Sequence, residues 1–157
     1  MSIPFSIRIP FIEQIGCELQ RYDSGHAEIT LTVDEAHTNS FGVAHGGLIM
    51  TMLDVSMAHA ARSLRRNERG EEPGLVTIEM STRFMRPGLG RIRALGEVMH
   101  ATASLAFCEG RVLDEAGKVC AHATATFKFL RALPVTGKQV HASTYSAQTA
   151  LRGAGSD

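Results

Sequence analysis

Residues 39–58 read Asn39-Ser40-Phe41-Gly42-Val43-Ala44-His45-Gly46-Gly47-Leu48-Ile49-Met50-Thr51-Met52-Leu53-Asp54-Val55-Ser56-Met57-Ala58, a glycine-rich loop running into an apolar stretch that carries one acid. Beyond the glycines, Ile49, Met52, Leu53, Met57, Ala60, Ala61 and Leu64 recur at three- and four-residue spacings. Arg62, Arg65 and Arg66 gather where the negative end of a helix dipole would lie. The spacing predicts a principal helix over 47–64. Its start leaves backbone N–H groups unpaired and positively polarised, and Gly46 and Gly47 place no side chain in front of them. Such a site can hold an oxyanion. Asp54 must be desolvated in this apolar run unless it faces a cleft or a partner. An oxyanion site followed by an acid points to acyl chemistry.

The remaining elements are read outward from that helix. Ala27, Ile29, Leu31 and Val33 alternate with Glu28, Thr30 and Thr32, the period of a half-buried strand. After a charged loop over 66–74, residues 75–86, 91–101, 105–113 and 118–130 read as four strands. The short turns between them imply an antiparallel meander. In the last strand Ala121, Ala123 and Ala125 would let a helix lie close. One strand, one long helix and four further strands make an α+β layer, with the helix across a curved antiparallel sheet. A single domain over 1–133 is expected, followed by a Ser/Thr/Gly/Ala-rich tail over 134–157 that is expected to be mobile or loosely packed.

Sixteen basic residues balance sixteen acidic ones among 157, so no global charge favours nucleic acid or an anionic membrane. The N-terminus lacks the uninterrupted apolar core of a signal peptide, and no apolar run is long enough to span a bilayer. Cys17, Cys108 and Cys120 are odd in number and lack CxxC spacing, which suits reduced packing residues in a cytoplasmic protein. The histidines have no metal-ligand spacing, and there is no GxSxG elbow.

Asn39, the loop from Gly42 through Val43, Ala44, His45 and Gly46 to Gly47, Asp54, and Thr77 further on together resemble the motif of PaaI-type acyl-CoA thioesterases. The similarity covers roughly residues 16–131 and implies the hotdog fold. It also implies that the Gly46 N–H polarises a thioester carbonyl and that Asp54 acts as general base or nucleophile. Asn39 and His45 would hold the water or the loop, and Thr77 would hydrogen-bond the water or the carboxylate. Blander roles are a turn for Asn39 and a helix start for His45. Val76, Ile78 and Met80 read as the apolar face of their strand, so Thr77 is expected to point the other way.

Gly46 and Asp54 would lie roughly 12 Å apart along one helix. One carbonyl centre within reach of both is easier to build if they come from different subunits, so a homodimer is expected. The resemblance adds two sites per dimer and a dimer of dimers. Arg83, Arg86, Arg91 and Arg93 surround the turn over 87–90, where guanidinium groups, Arg86 and Arg93 above all, could meet coenzyme A phosphates. Val43 and Gly47 complete the expected substrate contacts. The leading expectation is therefore hydrolysis of a small, medium-chain or aryl acyl-CoA, with no metal and no cofactor beyond the coenzyme A of the substrate. A non-catalytic acyl-CoA-binding or sensor module on the same fold is the alternative.

Overall fold

The computed structural model describes residues 1–130. The tail expected over 134–157 lies outside them. The chain runs through a short helix α1 (Pro10–Ile15), strands β1 (Glu18–Asp23) and β2 (His26–Thr32), and a 3-10 turn (Glu35–His37). The principal helix α2 (Gly46–Ser63) follows, and then β3 (Gly74–Phe84), β4 (Arg91–Ala101), β5 (Leu105–Leu113) and β6 (Val119–Leu130). The strands form one sheet in the order β1-β2-β4-β5-β6-β3, with every pairing antiparallel. Helix α2 crosses one face and touches all six strands. This is the hotdog arrangement expected above.

Helix α2 begins one residue earlier and ends one earlier than its periodicity predicts, because the His45 ring caps it and Leu64 closes it. Met52, Leu53, Met57, Ala60 and Ala61 are fully buried beneath it, and each of the larger three contributes about 2 kcal/mol by leaving water. Opposite them stand Ala121, Ala123, Ala125 and Phe127 of β6, all buried.

The closest approach of helix to sheet occurs at two glycines paired in register, Gly96 of β4 and Gly110 of β5. A Cβ on Gly96 would lie 2.4 Å from the Ser56 carbonyl carbon, and one on Gly110 would lie 3.1 Å from Leu53 and Met57 side-chain atoms. The two form a dent that seats the middle of α2. Any side chain at position 96 would push the helix off the sheet.

Three features depart from the sequence reading. Helix α1 and strand β1 were not expected. In Glu18–Asp23 only Leu19 is buried, so the segment has no apolar alternation to betray it, and α1 is only six residues long. The third departure concerns the phase of β3. Thr77 pairs with Phe127 and Glu79 with Thr126, which leaves Ile78 as the extra residue of a β-bulge. The bulge turns Thr77, Met80, Thr82 and Phe84 toward the α2 side, in line with Phe127, Ala125, Ala123 and Ala121. Val76 faces outward opposite Lys128, and Ile78 is exposed. Thr77 therefore points at the helix, not away from it.

The three cysteines are free and buried, and burial pushes the thiols of Cys17 and Cys108 up to about 12. A further buried polar side chain, His59 of α2, packs edge-on against Phe5 and Tyr22. Its Nδ1 donates to the Val55 carbonyl at 2.8 Å. Burial, reinforced by the nearby Arg62 guanidinium, pushes its pKa down to about 3.

Candidate active site

The loop before α2 is tied by its own polar groups. The Asn39 Oδ1 accepts from the N–H of Phe41 at 2.9 Å and of Val43 at 3.4 Å, while Asn39 N–H donates to the Val43 carbonyl at 2.9 Å. Gly42 supplies the left-handed φ of 73° that the tight return needs. Asn39 is thus the fastener of the loop, and Val43 is one of the groups it holds.

The loop is anchored to the rest of the molecule by Ala44 N–H donating to the Gly88 carbonyl and His45 N–H donating to the His37 carbonyl, both at 2.9 Å. The His45 ring then caps α2. Its Nδ1 accepts from the Gly47 N–H at 2.9 Å, which places the proton of the neutral ring on Nε2. His45 therefore acts as a helix start. Gly47 has spent its donor on this cap, whereas the Gly46 N–H donates to no group among the described residues.

Neither packing nor backbone conformation requires glycine at position 46. A Cβ there would make only an ordinary 3.5 Å contact with the Phe84 ring, and its φ lies outside the left-handed region. What remains is unobstructed approach to the first N–H of an 18-residue helix, the positive end of its dipole.

Two turns further along, Asp54 is partly accessible on a stripe that includes Gly47, Met50, Thr51 and Ala58. Its Oδ1 accepts a 2.7 Å hydrogen bond from Thr77 Oγ1 across the gap to β3. The carboxylate is thereby held in one orientation, and Oδ2 has no hydrogen-bond partner among the described residues. Asp54 thus escapes the desolvation problem by staying partly accessible and accepting from Thr77. A carboxylate so placed can take a proton from water or attack a carbonyl.

The arginines close in sequence are not gathered at one place in the structure. Arg93 lies on the sheet face away from α2, 3.3 Å from Glu28. Arg91 is on the same face, 3.6 Å from Glu18, and Arg83 stands there too, opposite His122. Arg86 follows β3 and donates to the Val119 carbonyl at 2.9 Å, nearer the loop but not beside Asp54. Phe84 was not singled out by the sequence reading, because its nearness to Gly46 is a contact between the end of β3 and the start of α2 that no local pattern announces. Among the described residues no group of three or more His, Cys, Asp or Glu could hold a metal ion, and no helix is long and apolar enough to cross a membrane.

The family model of the thioesterase superfamily matches residues 41–121, which contain the loop, Asp54 and Thr77. The chain is similar to the medium/long-chain acyl-CoA thioesterase YigI of Salmonella typhimurium, 27% identical over 135 residues that span 78% of this chain and 87% of the relative. Among solved structures it resembles a mutant of the phenylacetic acid degradation protein PaaI from Thermus thermophilus. That match is 27% identical with a TM-score of 0.67 and covers 78% of this chain and 100% of that one. The PaaI protein of the Escherichia coli phenylacetic acid degradation operon shares the fold, with a TM-score of 0.71 at 20% identity over 78% of this chain and 86% of that one.

Proposed function

The chain belongs to the thioesterase superfamily and is a thioester hydrolase, and on that premise we propose that it cleaves small, medium-chain or aryl acyl-CoAs to the free acid and coenzyme A. The observation that carries this reading is the Asp54 carboxylate, oriented by Thr77 on an accessible face of the helix whose first N–H is unengaged. The thioester carbonyl accepts from Gly46 N–H. Water held by Asp54 adds to the carbonyl carbon as its proton passes to the carboxylate, and the resulting oxyanion rests on the same N–H. The C–S bond then breaks, and the proton goes to the departing thiolate. In the alternative course Asp54 itself attacks, the C–S bond breaks to release coenzyme A thiolate, and water then hydrolyses the mixed anhydride to the free acid and the Asp54 carboxylate, its proton going to the thiolate. One oxyanion donor accounts for about 3 kcal/mol of such a barrier. No metal or separate cofactor is required.

The roughly 12 Å between Gly46 and Asp54 along one helix supports a site shared by two subunits, with Asp54 reaching the carbonyl held by its partner's helix start. Strand β3 supports the same assembly. It is an 11-residue edge strand with neither proline nor lysine to blunt it, and it flanks the accessible stripe of α2. The reading accordingly takes a homodimer as the active unit and a dimer of dimers as its further assembly. The buried, unbridged cysteines fit the cytoplasm.

The test is release of free thiol from short, medium, long and aryl acyl-CoAs by the purified protein, beside Asp54→Asn. Turnover that the substitution removes is the expected result. Saturable acyl-CoA binding without thiol release from any substrate would overturn the reading in favour of a binding module.

A further inference from the structure

We propose that Phe84 is a specificity-determining residue that discriminates against acyl groups branched at the carbon next to the thioester carbonyl. The inference rests on the reading above, in which that carbonyl accepts from Gly46 N–H.

Two ring atoms of Phe84, Cε1 and Cζ, lie 3.5 Å from where a Cβ on Gly46 would sit. One C–C bond further, the ring is within about 5 Å of the Gly46 Cα. A water or methyl between two carbon surfaces needs roughly 7 Å, twice a van der Waals contact. The ring therefore closes one flank of the helix start, and a ligand must reach the N–H along the flank left open.

The wall is also fixed at its base. Phe84 ends β3 in register with the buried Ala121 of β6. The next two N–H groups, of Met85 and Arg86, both donate to the Cys120 carbonyl at 2.8 and 3.0 Å. The backbone under the ring cannot swing out without breaking both bonds. Yet within one chain the ring is not covered, since Phe84 is 53% exposed despite facing the α2 side of the sheet. A large apolar side chain left open beside an unengaged donor is a surface for an apolar group.

A carbonyl oxygen bonded to Gly46 N–H brings the first acyl carbon to within roughly 5 Å of that nitrogen, given hydrogen bonds near 2.9 Å and standard bond lengths. With the acyl carbon on the ring side and the sulfur on the open side, substituents on that carbon are the first substrate atoms to meet the ring. A straight chain, or a planar aryl group, passes along its face, whereas an extra methyl collides with it.

The experiment compares kcat/KM for a straight-chain acyl-CoA and its α-methyl counterpart, at the chain length the wild-type protein turns over fastest, in wild type, Phe84→Ala and Phe84→Leu. Wild type is expected to prefer the straight chain by tenfold or more. Phe84→Ala should lower that ratio at least fivefold, and Phe84→Leu should fall between. A merely structural role would lower both rates together and leave the ratio unmoved, which would overturn the proposal, as would a wild type indifferent to the methyl. Should Phe84→Ala fail to fold, the ratio in Phe84→Leu decides alone. A wild type that hydrolyses no acyl-CoA refutes the underlying reading, and this is seen before any variant is measured.

Discussion

Thr77 Oγ1 donates to Asp54 Oδ1 at 2.7 Å, joining the middle of the long helix to the edge strand of the sheet. The bond uses one carboxylate oxygen and leaves the other for the reaction proposed above. Asp54→Asn keeps the shape and the acceptor for Thr77 but loses the base. Thiol release should fall by about two to four powers of ten, with the thermal midpoint within a few degrees of wild type.

Replacing Thr77 separates orientation from chemistry. Thr77→Val keeps the volume and removes the donor, so kcat should drop about tenfold, in line with one lost hydrogen bond to a charged group. Thr77→Ser, which can restore the bond, should recover most of the rate. Equal rates in all three proteins would show that the contact does not orient the base.

Gly46 allows the proposed oxyanion donor to be removed directly. Proline is tolerated at the first position of a helix, and His45 already has the extended backbone, φ −60° and ψ 138°, that proline demands of its predecessor. Gly46→Pro should therefore fold while losing about 3 kcal/mol of transition-state stabilisation, on the order of a hundredfold in kcat. Gly46→Ala retains the N–H but puts a methyl in the approach path. Its thermal midpoint should be unchanged or raised, and its activity should be lower than wild type and higher than that of Gly46→Pro.

If the two groups of one site come from different subunits, defects in each should complement. Asp54→Asn and Gly46→Pro proteins, each nearly inactive, would be mixed in equal amounts, dissociated and reassociated. Random pairing makes half the dimers mixed, each with one intact site, so about a quarter of wild-type activity should return. No recovery, with mixed dimers verified by mass, would place both groups in a single subunit.

His59 makes stability depend on acid. Its folded pKa is about 3, against 6.5 for the free side chain, so between those values the unfolded chain binds the proton and the folded one does not. Unfolding is favoured as pH falls through that window, by up to about 1.4 kcal/mol per unit. Urea midpoints measured at pH 7 and pH 5 should separate, and His59→Phe, if it folds, should narrow the gap.

The loop and helix were readable in the sequence because their signals are local: a turn residue, glycines, and an apolar period that ends in arginines. The strands over 91–101, 105–113 and 119–130 were readable for the same reason. Strand β1 was not, since its pairing with β2 is set by tertiary context and only Leu19 goes into the core. The phase of β3 was not either. One extra residue at Ile78 reverses every inward and outward assignment on one side of it, and nothing in the composition of the strand announces a bulge. That single shift hid the direction of Thr77, whereas the wall made by Phe84 was hidden because it depends on a contact with the distant Gly46. The separation of the arginines has a topological cause, because β3 and β4 are consecutive in the chain but have β5 and β6 between them in the sheet, so Arg83 is not beside Arg91 and Arg93. For Asn39 and His45 the plainer reading agrees with the structure, in which both make bonds within the loop and cap.

The paired glycines under the helix bear on how such a catalyst can change. With backbone against backbone at Gly96 and Ser56, two residues past Asp54, there is no intervening side chain whose trimming or growth could slide the helix by degrees. The acid's height above the sheet is a constant of the scaffold. On the function proposed above, new acyl preferences would come from the rim, through exposed residues such as Phe84 that can be exchanged without moving Asp54. The frame behaves as a jig with a fixed tool and replaceable jaws.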